Sequence, residues 1–148
     1  MNRRLLFFLP AVLAVQAVGA QSNSVIDTIL EMEVASHGAA AYLAFVAAGV
    51  ADDEAAFEEA FSRAVESGVF PADATPGAGI SLGRYAYLLM ATFDAPGGIL
   101  YSVFPGGRYA TRELAFHGLI PGRTDPFRSI SGTEAMQILE RFLRWRQG

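Results

Sequence analysis

AFSRAVESGVFPADATPGAGISLGRYAYLL (residues 60–89) and ATRELAFHGLIPGRTDPFRSISGTEAMQIL (residues 110–139) are two copies of one pattern, shifted by fifty positions without a gap. Ala60 matches Ala110, Gly68 matches Gly118, Pro71 matches Pro121 and Pro76 matches Pro126. Ile80-Ser81 matches Ile130-Ser131, and Leu89 matches Leu139. Conservative pairs fill the gaps: Val69 with Leu119, Phe70 with Ile120, Leu88 with Ile138. Glycine and proline constrain the backbone directly, so their recurrence at fixed offsets points to a repeated supersecondary unit. A weaker third copy precedes these. Ser36-His37-Gly38 leads to Ala41-Tyr42-Leu43 much as Ser81-Leu82-Gly83 leads to Ala86-Tyr87-Leu88.

Each copy reads as helix, glycine stop, proline-containing loop, serine cap, helix. Asp52 or Asp53 is placed to cap the first helix. Phe57, Ala60, Phe61, Ala64 and Val65 then form one apolar stripe at helical spacing. Gly68 ends it where a left-handed residue is expected. Ser81 opens the next helix, which runs to about Thr92. In the second copy the helix covers 108–117, Gly118 stops it, and Ser131 with Glu134 forms an S-x-x-E capping box. Ala135, Ile138, Leu139 and Phe142 line one face of the last helix. Residues 25–34 and 39–50 read as two more helices, the second apolar nearly all round and therefore central. The expectation is an all-α domain over residues 21–148 with about six helices, in units near 55–93 and 107–145 and a weaker one near 24–50. Pro96-Gly97-Gly98 and Pro105-Gly106-Gly107 bracket residues 99–104, which read as a short strand or an apolar turn that plugs the core.

Before these units lies a different kind of segment. Arg3 and Arg4 precede an apolar run over residues 5–18, and Val18-Gly19-Ala20 puts small residues where a signal peptidase cuts. Residues 1–20 therefore read as a secretory signal peptide. The alternative is a retained anchor, but the run is short for a span of about 20 residues, and Pro10 interrupts it. With no cysteine in the chain there is no lipoprotein attachment site and no disulfide. The expectation is an exported soluble protein of the periplasm or cell surface, held together by packing alone.

Charge is divided unevenly. Residues 21–79 carry ten acids against Arg63 alone, a net −9; residues 80–148 carry five acids against eight arginines, a net +3. A half this weakly basic does not argue for nucleic acid. The division does suit an anionic glycan or an acidic partner. All eleven basic residues are arginine.

Chemistry-bearing patterns are sparse. His37 and His117 each adjoin a glycine at a helix end and fit structural roles. Together with the scattered acids they give no metal-ligand spacing. Ser81 and Ser131 stand where helices must start. Gly79-Ile80-Ser81-Leu82-Gly83 has the G-x-S-x-G spacing, but no strand is expected ahead of it, so the strand-turn-helix setting of a nucleophile elbow is missing. Gly77-Ala78-Gly79-Ile80-Ser81-Leu82-Gly83 is one residue too long for G-x-G-x-x-G. Glu58-Glu59 falls on the polar side of an amphipathic helix. No metal, cofactor or catalytic group is expected.

The strings Ile80-Ser81-Leu82-Gly83-Arg84 and Ile130-Ser131-Gly132-Thr133-Glu134 resemble the I-T-R-A-E-like string that opens the second helix of the S-layer homology family. The resemblance spans about residues 55–143 and keeps the hydrophobic residue and the hydroxyl in both copies. The acid is kept only as Glu134, and the string's arginine is replaced by Leu82 and Gly132. The resemblance implies a helical envelope module. The missing arginine belongs to that family's glycan-binding signature, so binding by the family's usual residues does not carry over. The whole chain also looks like secreted envelope proteins of spirochaete-type bacteria.

The expected function is a non-catalytic envelope module that binds a wall glycan or an envelope protein. The alternatives are a protein–protein adaptor or assembly component of an envelope complex, and an envelope hydrolase. The strongest binding candidate is the loop over residues 121–128, which holds Arg123, Asp125, Phe127 and Arg128. Arginine forks suit carboxylate or phosphate groups on a polymer. The competing account has Asp125 capping a turn and both arginines solvated or paired locally. Arg108, after a Pro-Gly-Gly turn, can join this surface, and Arg84 and Glu134 are the charged positions of the two strings.

Overall fold

The computed structural model describes residues 23–53 and 55–148. The expected signal peptide lies outside them. The described residues are all-helical: α1 over 23–30, α2 His37–Ala47, α3 Phe57–Glu66, α4 Leu82–Thr92, α5 Ile99–Val103, α6 Gly107–Phe116 and α7 Gly132–Gln147. No helix among them is long and apolar enough to cross a membrane.

Serine punctuation works as the sequence predicts. Ser36 Oγ accepts from Ala39 N, Ser81 Oγ from Arg84 N and Ser131 Oγ from Glu134 N, so each of α2, α4 and α7 starts on the same side-chain cap. Such a cap satisfies one otherwise orphaned amide and stabilises a helix by about 1 kcal/mol. Glycine stops work too: α3 and α6 end before Gly68 at φ +74° and Gly118 at φ +68°, left-handed values that glycine adopts without strain.

α2, α4 and α7 are the central helices. Nine residues of α2, His37–Phe45, are buried. Tyr85 of α4 is fully buried, and its hydroxyl donates to Ala135 O of α7 at 2.9 Å. The outer helices clip onto the central ones in turn. Tyr42 of α2 meets Phe57 of α3 edge-on at 5.5 Å. Gly83 of α4 lies against Gly107 of α6 so closely that a Cβ on Gly107 would stand 2.8 Å from the Gly83 carbonyl. Gly132 of α7 lies against the Ile29 carbonyl of α1.

Between these pairs runs a cycle of backbone bonds. His37 N and Gly38 N donate to Ala78 O and Pro76 O. Leu82 N and Gly83 N donate to Arg128 O and Pro126 O at matching positions of the next unit. Gly132 N donates to Met32 O and returns the cycle to the first unit. At its centre Ala35, Ile80 and Ile130 are buried, with Ile80 N donating to Ala35 O and Ala35 N to Ile130 O. These pairings satisfy loop and helix-start backbone groups with partners in a neighbouring unit.

Four sequence expectations are corrected. Residues 99–104 hold neither a strand nor a core plug: α5 occupies them, with no buried residue. Tyr101, not the aliphatic residues, faces inward, against Tyr87 at 6.5 Å. Asp52 and Asp53 do not cap α3, whose N-cap is Ala56 without a side-chain bond. Tyr42 Oη donates to Asp53 O and Ala55 N to Asp52 O, which holds that segment in a turn ahead of the helix. The first helix stops at 30 instead of 34, because the chain must extend for Ala35 to bridge Ile80 and Ile130. The capping box at Ser131 is half formed: the hydroxyl accepts from Glu134 N, but the Glu134 carboxylate turns to Arg128.

Candidate functional site

Where the N-terminus of a central helix meets the loop before it, the surface is hollowed. Two such grooves use residues fifty positions apart. One, of about 420 Å³, is lined by Pro71, Ser81, Gly83, Arg84 and Tyr87, and is walled by Pro126 and Phe127 from the next unit. The other, of about 330 Å³, is lined by Pro121, Ser131, Thr133, Glu134 and Gln137, together with Arg123 and Arg128. The repeat gives them one architecture, with residues of opposite charge, Arg84 and Glu134, at the same position.

In the second groove Glu134 and Arg128 neutralise each other. Arg128 Nη1 donates to Glu134 Oε2 at 2.9 Å, and Nη2 donates to Oε1. Arg128 Nε also donates to Arg123 O at 2.7 Å and Nη1 to Ser129 O at 3.2 Å. The fork is thus spent on the protein, and the bidentate carboxylate raises the Arg128 pKa further. Asp125 Oδ1 accepts from Phe127 N at 3.0 Å, the turn-capping role that competed with binding in the sequence. Arg123 is exposed, and among the described residues its side chain has no ion-pair partner.

The Arg84 groove differs. Among the described residues no carboxylate pairs with Arg84. Its Nη1 lies 3.5 Å from His37 Nε2, and the other side of that ring, Nδ1, lies 2.9 Å from Ala78 O. A guanidinium can only donate, so Nε2 must be the acceptor and Nδ1 must carry the hydrogen given to Ala78. His37 is therefore neutral and bridges two units while holding Arg84 at the groove. Phe70 packs edge-on against the ring at 5.1 Å. Phe127, 86% exposed, stands at the rim. Arg108 is exposed next to Gly107, which also lines this groove. The loop arginines and Arg84 therefore lie in two neighbouring grooves. Tyr87 was not singled out in the sequence, although its spacing of three from Arg84 places both on one face of α4.

Burial lowers the His37 pKa below its ordinary 6.5; the Ala78 bond opposes this, and the Arg84 charge adds to it. The unfolded chain then takes up this proton more readily than the folded one, so stability falls as the pH drops below 6.5 and goes on falling to the depressed folded value. The slope in that window is bounded by about 1.4 kcal/mol per pH unit. Thermal melts at pH 7.5 and 5.5 are expected to show this loss in the unaltered chain and a smaller one in His37→Gln.

His117 packs on Trp145 at 4.5 Å between ring centroids and edge-on against Phe116 at 5.2 Å. Among the described residues no three His, Asp or Glu side chains gather as a metal site. Glu59 pairs with Arg63 at 2.9 Å on the exposed face of α3. Compared with protein-family models, curated proteins and solved structures, the chain matches none.

Proposed function

We propose that this protein is an exported, non-catalytic module of the cell envelope that binds a wall glycan, with the Arg84 groove as its contact surface. The observation that carries this reading is Arg84 itself, a guanidinium without a carboxylate partner among the described residues, set beside Tyr87 and the exposed ring of Phe127. A guanidinium fork suits carboxylate or phosphate on a polymer, and an amphipathic or apolar ring offers a face to a sugar. The resemblance to the S-layer homology string and the signal-like residues 1–20 support the same role. Leu82, at the string's arginine position, is fully buried and unavailable to a ligand. Arg84, two residues on, offers the cation from the groove instead.

Co-sedimentation of the full chain with purified peptidoglycan and wall polymer tests this. Retention is expected, with Arg84→Ala and Phe127→Ala each weakening it about fivefold or more, as loss of a central contact does. Arg123→Ala in the neighbouring groove is expected to leave it nearly unchanged. Retention indifferent to Arg84 and Phe127 would overturn the assignment. A second reading, an adaptor for an envelope protein, draws on the −9 charge of residues 21–79. Cross-linking that captures one protein partner through that acidic half, without wall retention, would select it.

A further inference from the structure

α5 is a single turn that carries its apolar side chains outward. Ile99 is 83% exposed, Leu100 42%, Val103 60% and Phe104 61%. So dense an apolar patch on a short protruding element marks an interaction surface. Its underside is anchored. Tyr101 packs on Tyr87 and the Glu113 carboxylate lies beside Gly98, while the exposed Phe104, just past the end of α5, lies 6.3 Å between centroids from the Tyr109 ring. α5 therefore runs along the Tyr109–Glu113 stripe of α6. Helical geometry puts Arg108, Arg112 and Phe116 on the adjoining stripe. All three are exposed, Phe116 at 83%. Among the described residues no carboxylate pairs with either arginine.

We propose that α5 and the Arg108–Arg112 stripe of α6 form a docking surface for an anionic phospholipid bilayer, with Ile99, Val103 and Phe104 entering the interface and the two arginines meeting lipid phosphates. Apolar side chains bordered by cations are what an interfacial membrane contact requires. The charge also selects this occupant over a second copy of the chain. A two-fold contact on this patch would face Arg108 and Arg112 with their own equivalents, whereas lipid phosphates complement them. The surface adjoins the Arg84 groove at the Tyr87–Tyr101 contact but uses neither Arg84 nor Phe127, so the variants that test the two differ.

The chain contains no cysteine, so Ser102→Cys on exposed α5 accepts a single environment-sensitive fluorophore without altering the apolar residues. With phosphatidylcholine vesicles containing about a third phosphatidylglycerol, the probe is expected to shift to the blue and to be quenched by brominated acyl chains. Phosphatidylcholine alone should give little of either. Arg108→Glu with Arg112→Glu is expected to weaken the response about tenfold or more, given roughly 1 kcal/mol per basic residue at an anionic surface. Ile99→Asn with Phe104→Asn is expected to abolish it, with an unchanged circular dichroism spectrum as the check that the fold is intact. The probe reads position 102 alone, so membrane association through residues 1–20 cannot mimic the signal. An unshifted probe on anionic vesicles overturns the proposal. So does a shift that follows protein concentration without vesicles, which would identify a second copy as the occupant.

Discussion

Gly132→Ala is expected to cost this chain more than any other single methyl group. A Cβ at position 132 would fall on the Ile29 carbonyl oxygen, with the carbonyl carbon only 2.7 Å away. Both atoms are backbone, so no rotamer change relieves the clash. Gly132 N also donates to Met32 O at 2.9 Å, and Thr133 Oγ1 to Leu30 O at 3.1 Å. α7 cannot back away from α1 without losing bonds that join the last unit to the first. Overpacking of a well-fitted interior typically costs about 1–3 kcal/mol, and backbone-on-backbone overlap lies at or beyond the top of that range. Denaturant titration should show the unfolding free energy falling by that amount. Gly148→Ala, where a Cβ would meet nothing, should leave it unchanged. A Gly132→Ala chain as stable as the original would mean that α1 does not dock on α7 as described.

The second large effect is at Tyr85. It is fully buried, and its hydroxyl binds a carbonyl on the next central helix. Tyr85→Ala removes a ring from the centre and leaves Ala135 O without that partner. Deletion of a buried aromatic ring alone costs about 3–5 kcal/mol. Tyr85→Phe keeps the ring and loses only the hydrogen bond, at about 1–2 kcal/mol. Burial holds this phenol protonated at all ordinary pH values, so both effects should be independent of pH up to 9. Equal losses in the two variants would show that the ring contributes little and that the bond carries the site.

The parts of the fold legible in the sequence are those with local causes. Ser36, Ser81 and Ser131 mark helix starts because a hydroxyl satisfies an amide three residues on, and Gly68 and Gly118 mark stops because their φ is positive. The burial of α2 followed from its unbroken apolar run. What the sequence hid was set by distant partners. Ile99, Leu100, Val103 and Phe104 look like core residues, and only the placement of Tyr101 and Tyr109 shows that they face outward. Glu134 fits a capping box until Arg128 competes for its carboxylate. At the candidate site the sequence named Arg84, Arg123 and Arg128 alike. It could not tell which guanidinium is spent on a neighbour, because that depends on the unit opposite. The His37–Arg84 contact spans 47 residues and has no local signature.

The docking of α1 on α7 also bears on how the chain comes to be folded. Thr133 and Leu30 are 103 residues apart in sequence, so the helix that α1 needs is synthesised long after α1 itself. Every chain leaving the ribosome therefore carries Ile29, fully buried in the folded protein, without that cover until α7 has emerged. Closing so long a loop is entropically costly, so the final docking is a slow, late step that commits the rest. Until then the cycle of backbone bonds lacks the contact that joins its last unit to its first, and α7 is the element that closes it.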